Sequence, residues 1–384
     1  FSHDSESTEP GYYSVQLEDY NIKAELTASL RAGFHRYTYN EGEQTGIIID
    51  LAHTIYADRN PNHEFKIIGD NEIAGYKGSG GWAVEQHTWF HAKFSQPFTC
   101  VFYDNGKEIE ASETVKSKHL VAVLTFDNLD NKELLAKVGI SHVDYKGAQN
   151  NLETEITDWD FDAVKESAKE LWAIQLNQIN TEGGSDDEKT IFYTSLYHTA
   201  ISPYTFSDVD SRYRGMDQKI HNSNGKINYT VFSLWDTFRA NHPLKTIIDP
   251  ERDNEFVNTL LTKYDQGGAL PMWELVGNYT GCMIGYHSVP VIVDAYFKGI
   301  RNFDIDKAYK AMKESLMEAP FAHEDMQEYI DTGYVPAETP ESVTRTLEYA
   351  YNDWALAKFA AYMGENTDYD LLAKRSFNYR NIYN

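Results

Sequence analysis

The sequence is poor in cysteine. Its 384 residues contain only Cys100 and Cys282, and neither belongs to a CxxC motif. Two cysteines that lie so far apart exclude a disulfide framework and a zinc-ribbon site. Each thiol is therefore expected to be a buried free side chain rather than a metal ligand or a nucleophile.

Long apolar runs and positive charge are also scarce. No apolar run approaches the roughly 20 residues that a membrane span needs, so none is predicted. The chain has 34 Lys and Arg residues against 59 Asp and Glu residues, which gives a formal net charge of −25. Because binding to a nucleic-acid backbone relies on Lys and Arg, this balance argues against a nucleic-acid partner.

Several motifs of familiar enzymes are missing from the sequence. It has no GxSxG elbow, no HExxH, no EF-hand loop and no GxGxxG after a strand. What remains is carboxylate chemistry, for which glycoside hydrolysis is the natural user. The 27 Tyr, 19 Phe and 7 Trp residues fit this interpretation, since flat rings stack on sugars as well as filling cores.

The chain is too long for one ordinary core, so we expect more than one domain. Up to about residue 140 it consists of short β-branched or aromatic runs, at the spacing of an antiparallel sandwich. In the run IKAELTA, the apolar residues Ile22, Ala24 and Leu26 alternate with polar ones. This alternation predicts a sheet with one solvated face.

The pattern changes to a helical one near residue 150. Apolar residues recur close to every 3.6 positions between Asp158 and Ile179, and further helical segments follow from about Ser185. Long Gly-, Pro- and Asn-rich connectors join these segments, which is typical of a helical toroid whose loops form a site on one face. We predict a β-sandwich domain in residues 1–150, a helical linker in 151–184 and the first part of a toroid in 185–384.

The stretch FSLWDTFRANHPL, from Phe232 to Leu244, combines charged and aromatic residues in a predicted helix. Asp236 and Arg239 would share one helix face, where an ion pair at spacing i,i+3 is common. Ser233 would cap this helix and place Asp236 near its positive end. The residues alone leave two interpretations open, namely an ordinary helix start with Trp235 as a core anchor, or a site that holds a polar ligand.

The loop from Asp265 to Pro290 is irregular but too apolar to be a solvated linker, so its polar residues must be held in place. Trp273 and Glu274 form a ring-and-carboxylate pair that suits a pyranoside. The alternative is that Glu274 caps backbone groups or pairs with an Arg. His287 has no second His at i+3 or i+4, so we expect a core histidine rather than a metal ligand.

Trp82 lies in GSGGWAVEQ, a glycine-rich turn that lacks the Gly-Lys-Ser/Thr ending of a phosphate loop. Its ring either reaches toward a site in a neighbouring domain or covers a sheet edge.

Several blocks of the chain, in order, resemble glycoside hydrolase family 92. They are PGYYSVQL, IKAELTASLRAGFHRYTY, KVGISHVDYKGAQNNLETEI, FYTSLYHTAISPYTFSDVDSRYRG, FSLWDTFRANHPL, GGALPMWELVGNYTGCMIGYHSVPVIVDAYFKGI and SVTRTLEYAYNDWALAKFA. The resemblance implies an exo-acting, inverting, calcium-dependent α-mannosidase that acts on α-mannoside glycans. The implied fold is an antiparallel, supersandwich-like β-sandwich, a helical linker and an (α/α)6 toroid. The implied location is the periplasm, the cell surface or the exterior.

The family carries its catalytic residues in motifs of the forms EGNAWQY and GNDD, and neither occurs in this sequence. Inversion needs an acid and a base roughly 6.5–9.5 Å apart with a water between them. We therefore expect the acid, the base and most of the calcium ligands beyond Asn384, and both ends of the chain to be cuts through a longer protein.

The resemblance also implies roles for individual residues. Asp236 matches the family's Asp that contacts mannose hydroxyls, with Arg239 and Trp235 in the same block. Trp273, Glu274 and Trp82 are further candidates for substrate binding; no metal ligand is identified. Two other interpretations are a non-catalytic mannoside-binding or structural protein of this fold, and a complete enzyme with Asp236 and Glu274 as the catalytic pair.

Overall fold

The structure is a computed structural model that divides into two compact units. It describes residues 1–40, 45–55, 58–127, 129, 132–317 and 325–383. The first unit comprises Phe1–Ala200, Phe206–Tyr213 and Ile220–Gly225, and the second comprises Ile201–Thr205, Arg214–Lys219 and Lys226–Asn384. The predicted domain boundaries at residues 150 and 184 stay predictions.

The first unit begins with antiparallel strands that form two sheets. The strands are β1 (Ser7–Glu9), β2 (Tyr12–Leu17), β3 (Ile22–Ala28), β4 (Ala32–Thr38), β5 (Gly46–Asp50), β6 (Asn62–Gly69), β7 (Glu72–Ser79), β8 (Gln86–Phe94), β9 (Thr99–Asp104), β10 (Lys107–Ile109), β11 (Thr114–Ser117), β12 (Leu120–Thr125) and β13 (Glu133–Ser141). Among the described strands, nine form one sheet in the order β1-β2-β3-β4-β13-β8-β7-β6-β11, and four form another in the order β10-β9-β12-β5.

The two sheets share one apolar core. Phe65 and Phe94 of the larger sheet are buried in the same cluster as Phe102 and Leu124 of the smaller one. The Phe65 and Phe102 ring centroids are 5.7 Å apart. The predicted antiparallel β-sandwich is confirmed.

Helices cover part of the larger sheet, which corrects one expectation. The helices of this unit are α1 (Tyr145–Glu155), α2 (Phe161–Leu176) and α3 (Asp186–His198). Phe34 of β4 packs against Leu152 and Phe161 of the first two helices. Glu25 and Thr27, predicted to face solvent, are instead buried on β3. The prediction of a solvated face was wrong here because the alternation of one strand does not reveal a helix that covers it.

The second unit is mainly helical. Its helices are α4 (Leu234–Thr237), α5 (Asn241–Ile248), α6 (Pro250–Gly267), α7 (Ser288–Phe297), α8 (Ile305–Met317), α9 (Asp325–Thr332), α10 (Ser342–Met363) and α11 (Asn366–Arg375). The short strands of the chain's second half are β14 (Tyr204–Thr205), β15 (Arg212–Arg214), β16 (Ile220–Asn222), β17 (Tyr229–Thr230), β18 (Phe232–Ser233), β19 (Trp273–Leu275) and β20 (Asn278–Tyr279).

One apolar cluster joins these helices. It includes Val257 of α6, Ile292 of α7, Met312 of α8 and Phe359 of α10, all of them buried. A β-sandwich followed by a helical domain is the mixed architecture predicted from the sequence. None of the described helices combines the length and apolar character that crossing a bilayer requires.

The stretch from Phe232 to Leu244 was predicted to be one helix. In the structure it consists of a strand followed by two helices. Phe232 and Ser233 pair with Glu274 and Trp273 across β18 and β19. Such extended pairing is incompatible with helical backbone. Pro243 stands third in α5, where the first turn tolerates a residue without an N–H.

Candidate functional site

A small hairpin forms the base of the candidate site. Its strands β19 and β20 are joined by Val276 and Gly277, whose φ angles are 45° and 76°. Two consecutive positive φ angles are typical of the tight turns that match strand twist. Because Ser233 lies opposite Trp273 on the neighbouring strand, the hairpin adjoins the segment that enters α4.

Trp235 and Asp236 lie on the short helix that follows. Both side chains are exposed, and 37% of Trp235 is accessible to solvent. The Ser233 hydroxyl donates to the Asp236 carboxylate at 2.5 Å. The segment therefore presents an indole ring and a carboxylate to solvent, with Trp273 on the adjacent strand.

Arg239 is held by a residue that is distant in sequence. Its guanidinium donates to Glu348 of α10 at 2.6 Å and lies 4.7 Å from the centre of the Phe238 ring. The helix-start interpretation required an ion pair between Arg239 and Asp236. In the structure Arg239 pairs with Glu348 instead.

His287 lies buried beneath this ion pair. Its ring stacks on Phe238 with centroids 3.8 Å apart, and its Nδ1 accepts from the Asn352 amide at 3.3 Å. That contact assigns the ring proton to Nε2, which lies 3.3 Å from Glu348. Burial, assisted by the charge of Arg239, lowers the pKa of His287 to about 3. The prediction of a core histidine is confirmed.

We expect this histidine to make stability depend on pH. An unfolded chain protonates His287 near its ordinary pKa of 6.5, whereas the folded chain resists protonation down to about 3. The unfolded state therefore binds more protons across that window, and stability falls as the pH is lowered through it. The contribution between pH 7 and pH 5.5 is about 1 kcal/mol.

Urea unfolding of wild type and His287→Gln at the two pH values measures this contribution. The variant is expected to lose less stability on acidification. Burial raises the pKa of Glu348, so this carboxyl makes the folded chain more stable as the pH falls, opposite to the effect of His287. The Glu348→Gln variant therefore separates the contributions of the two groups. Equal pH dependence in wild type and His287→Gln would contradict the assignment.

Glu274 lies below the exposed surface. Its side chain is 0% exposed, and its Oε1 accepts from the Thr230 hydroxyl at 2.9 Å, the Gly277 N–H at 2.7 Å and the Lys263 ammonium at 2.9 Å. Its Oε2 accepts from the Val231 N–H at 3.0 Å. A sugar would have to displace these donors to reach the carboxylate. The geometry thus matches the interpretation in which Glu274 caps backbone groups and pairs with a cation, although the cation is a Lys.

Trp82 belongs to the first unit. It lies between β7 and β8 and is 63% exposed. Its loop is anchored, because the Gly80 N–H donates to Asp58 at 2.9 Å and the Gly80 carbonyl accepts from the Arg59 N–H at 3.0 Å. The role of Trp82 in sugar binding stays a prediction.

A cavity of about 850 Å³ opens beside Arg239 in the second unit. Aromatic side chains of α7 and α10 supply much of its wall, and Glu348 also lines it. The aromatic lining residues on these helices are Phe297, Tyr351 and Trp354.

The calcium ion that the resemblance implies has no ready-made cluster of side chains among the described residues. Among them, no group of three or more His, Cys, Asp and Glu side chains could hold a metal ion. Ca²⁺ takes six to eight oxygen ligands, which include backbone carbonyl, side-chain amide and water oxygens besides carboxylates. The calcium requirement therefore stays a prediction.

The residues that support the site lie far in sequence from the residues that they hold. Glu348 is 109 positions from Arg239, and Thr230 is 44 positions from Glu274. No local pattern signals such pairs. The burial of Glu274 had one indirect signal, since a carboxylate in an apolar ordered loop requires a cation and hydrogen-bond donors.

Two family models match this chain, and both describe domains of one family. Residues 1–141 match the family model described as the glycosyl hydrolase family 92 N-terminal domain, and residues 147–384 match that of the family 92 catalytic domain. A family 92 α-mannosidase from Bacteroides thetaiotaomicron is 37% identical, with a TM-score of 0.94, over 100% of this chain and 53% of its own. That enzyme has also been solved in complex with mannoimidazole.

Two further relatives extend the comparison. A family 92 inverting mannosidase from Bacteroides thetaiotaomicron is 30% identical, with a TM-score of 0.91, over 100% of this chain and 52% of its own. An uncharacterized secreted glycosidase from Arthroderma benhamiae is 24% identical over 99% of this chain and 50% of its own. The chain spans about half the length of these relatives. With both family models matched along nearly its whole length, the chain belongs to glycosyl hydrolase family 92.

Proposed function

We propose that the whole protein removes terminal, non-reducing α-linked mannose from glycans with inversion, and that this chain contributes substrate-binding residues. The similarity of the entire chain to a solved α-mannosidase, at 37% identity, is the observation that carries the proposal. A relative described as an inverting mannosidase and a relative bound to mannoimidazole support the stereochemistry and the substrate class.

The proposed roles follow from exposure and chemistry. The exposed Asp236 carboxylate accepts hydrogen bonds from two neighbouring sugar hydroxyls. The rings of Trp235 and Trp273 contact the C–H faces of the pyranose. Arg239, whose guanidinium is held by Glu348 at 2.6 Å, borders the sugar.

The proposed sugar-binding residues do not account for the two proton transfers or for the binding of calcium. An inverting reaction requires an acid and a base on opposite sides of the sugar. We propose that other parts of the protein supply both, together with the ligands of a required calcium ion, on the strength of the family resemblance. The secreted relative supports an extracellular, cell-surface or periplasmic location.

Calorimetry with mannoimidazole tests the binding part of this proposal. The whole protein is expected to bind it, and its Trp235→Ala variant to bind it at least tenfold more weakly, because the ring loses its contact with the sugar. The matching galactose-configured imidazole is the control ligand. Absence of any mannoimidazole binding by the whole protein would contradict the proposed substrate class, and wild-type affinity in Trp235→Ala would contradict the substrate-binding role of this chain.

Kinetics of the whole protein test the reaction. Proton NMR of an α-mannoside digest is expected to show β-mannose first, and a chelator is expected to stop the release. Full activity in excess EDTA would remove the calcium requirement. Mannoside binding without any hydrolysis would favour the alternative, a non-catalytic mannoside-binding protein of the same fold.

A further inference from the structure

Two valines beside the site have backbone angles that valine rarely adopts. Val231 has a φ of 65° and Val276 a φ of 45°. A positive φ is a genuine outlier for a β-branched residue. Such strain persists only where the surroundings hold it, and it concentrates at functional sites. Specific contacts must therefore hold these two valines in place.

One buried carboxylate holds both. The Val231 N–H donates directly to Glu274 Oε2 at 3.0 Å. The Val276 N–H donates to the Thr230 hydroxyl at 2.8 Å, which in turn donates to Glu274 Oε1. The Lys263 ammonium lies 2.9 Å from the same oxygen and is itself buried, so it balances the charge of Glu274 without solvent.

The strained valine fixes the direction of the segment that carries the exposed residues. Phe232, the next residue, is fully buried in the core of the second unit. Ser233 then lies opposite Trp273 and donates to Asp236. A different φ at Val231 would turn Phe232 out of the core and move Ser233 away from Asp236.

We propose that Glu274, paired with Lys263, is a positioning residue of the mannoside site and does not contact the sugar. It holds Val231 and Val276 in their strained conformations, and these place Trp235, Asp236 and Trp273 relative to one another. The inference rests on the proposed function. It gives the buried ion pair the role of holding the sugar-binding side chains in position.

Glu274→Gln is the first variant to test. It keeps the side-chain shape but replaces one acceptor oxygen with an amide donor and leaves Lys263 without its counter-charge. We expect mannoimidazole affinity to fall at least tenfold and amide hydrogen exchange of residues 231–236 to accelerate. Thr230→Val keeps the ion pair and the hydrogen bond from Val231, and it breaks the two hydrogen bonds of the Thr230 hydroxyl, to Glu274 and from Val276, so a smaller loss of about threefold is expected.

A rescue experiment separates positioning from general stability. Glycine adopts a φ of 65° without strain, so Val231→Gly removes the need to hold that peptide. Added to Glu274→Gln, it is expected to restore at least threefold of the lost affinity. A residue that merely stabilises the fold would not be rescued in this way.

The chain offers a matched control in Asp353→Asn. Asp353 is also fully buried, in the same unit, and its carboxylate lies 2.9 Å from Arg375. This variant is expected to lower the melting temperature and leave the affinity unchanged, measured well below that temperature.

Three outcomes would overturn the proposal. The first is that Glu274→Gln keeps the wild-type affinity, and the second is that it loses no more affinity than Asp353→Asn does. The third is that Glu274→Gln loses affinity without faster amide exchange in residues 231–236, which would make Glu274 a direct ligand of the sugar. These affinities are measured on the whole protein, and if its wild type binds no mannoimidazole, the proposed function fails instead. The exchange rates of Glu274→Gln and Thr230→Val then still decide whether Glu274 holds the segment. If Glu274→Gln does not fold, Thr230→Val alone decides, and unchanged exchange and affinity in that variant would refute the proposal.

Discussion

Asp236→Ala in the whole protein is expected to lower kcat/KM on an α-mannoside by about 3 kcal/mol, or about a hundredfold. The proposed hydrogen bonds from two sugar hydroxyls to an ionised carboxylate are worth about 1.5–3 kcal/mol each, and those that strengthen in the transition state affect the rate. Little stability should be lost, because the side chain is exposed and its hydrogen-bond partner is the neighbouring Ser233 hydroxyl.

Steady-state kinetics and urea unfolding of the same samples measure the two effects. Asp265→Ala is a suitable control, since Asp265 is a half-exposed carboxylate of the same unit that pairs with Lys307. It is expected to change neither kinetics nor stability appreciably. Normal kinetics in Asp236→Ala would leave Asp236 as an ordinary residue at the start of a short helix.

Asp353→Ala is expected to lower the free energy of unfolding by about 3–5 kcal/mol. The change leaves the Arg375 guanidinium buried without its counter-charge, after the loss of contacts at 2.9 and 3.0 Å. It also removes the acceptor that the Tyr329 hydroxyl contacts at 2.7 Å. A buried group left unpaired in this way carries its full desolvation penalty.

Two comparisons make this prediction specific. Asp294→Asn breaks an exposed ion pair with Lys298 and is expected to change stability by less than about 1 kcal/mol. The double variant Asp353→Leu, Arg375→Met removes both charges and is expected to recover most of the loss. A double variant as unstable as Asp353→Ala would show that packing, and not the unpaired charge, explains the effect.

The architecture was largely predictable from sequence because it rests on local patterns. Short β-branched runs and 3.6-residue periodicity identified the sandwich and the helices. The errors arose where distant segments meet. Glu25 is buried although its face of β3 was expected to meet solvent. Phe232 is extended because it pairs with Glu274, a partner 42 positions further along the chain that no local pattern indicates.

The same reason limits what the sequence predicts about the site. The position of Asp236 at the start of a helix and the core position of His287 followed from short stretches of sequence. That Arg239 pairs with Glu348 and that Glu274 lies below the surface did not, because both depend on partners supplied by other elements. The family resemblance names candidate residues of the site but does not indicate which of them are exposed.

The strained start of the segment that leads to Asp236 has a consequence for insertions and deletions. Along β18 neighbouring side chains point to opposite faces, so Phe232 is buried while Ser233 is directed toward Asp236. Gaining or losing a single residue here would exchange the two faces. The segment can therefore change many of its side chains, but its length is fixed by the core on one side and the carboxylate on the other.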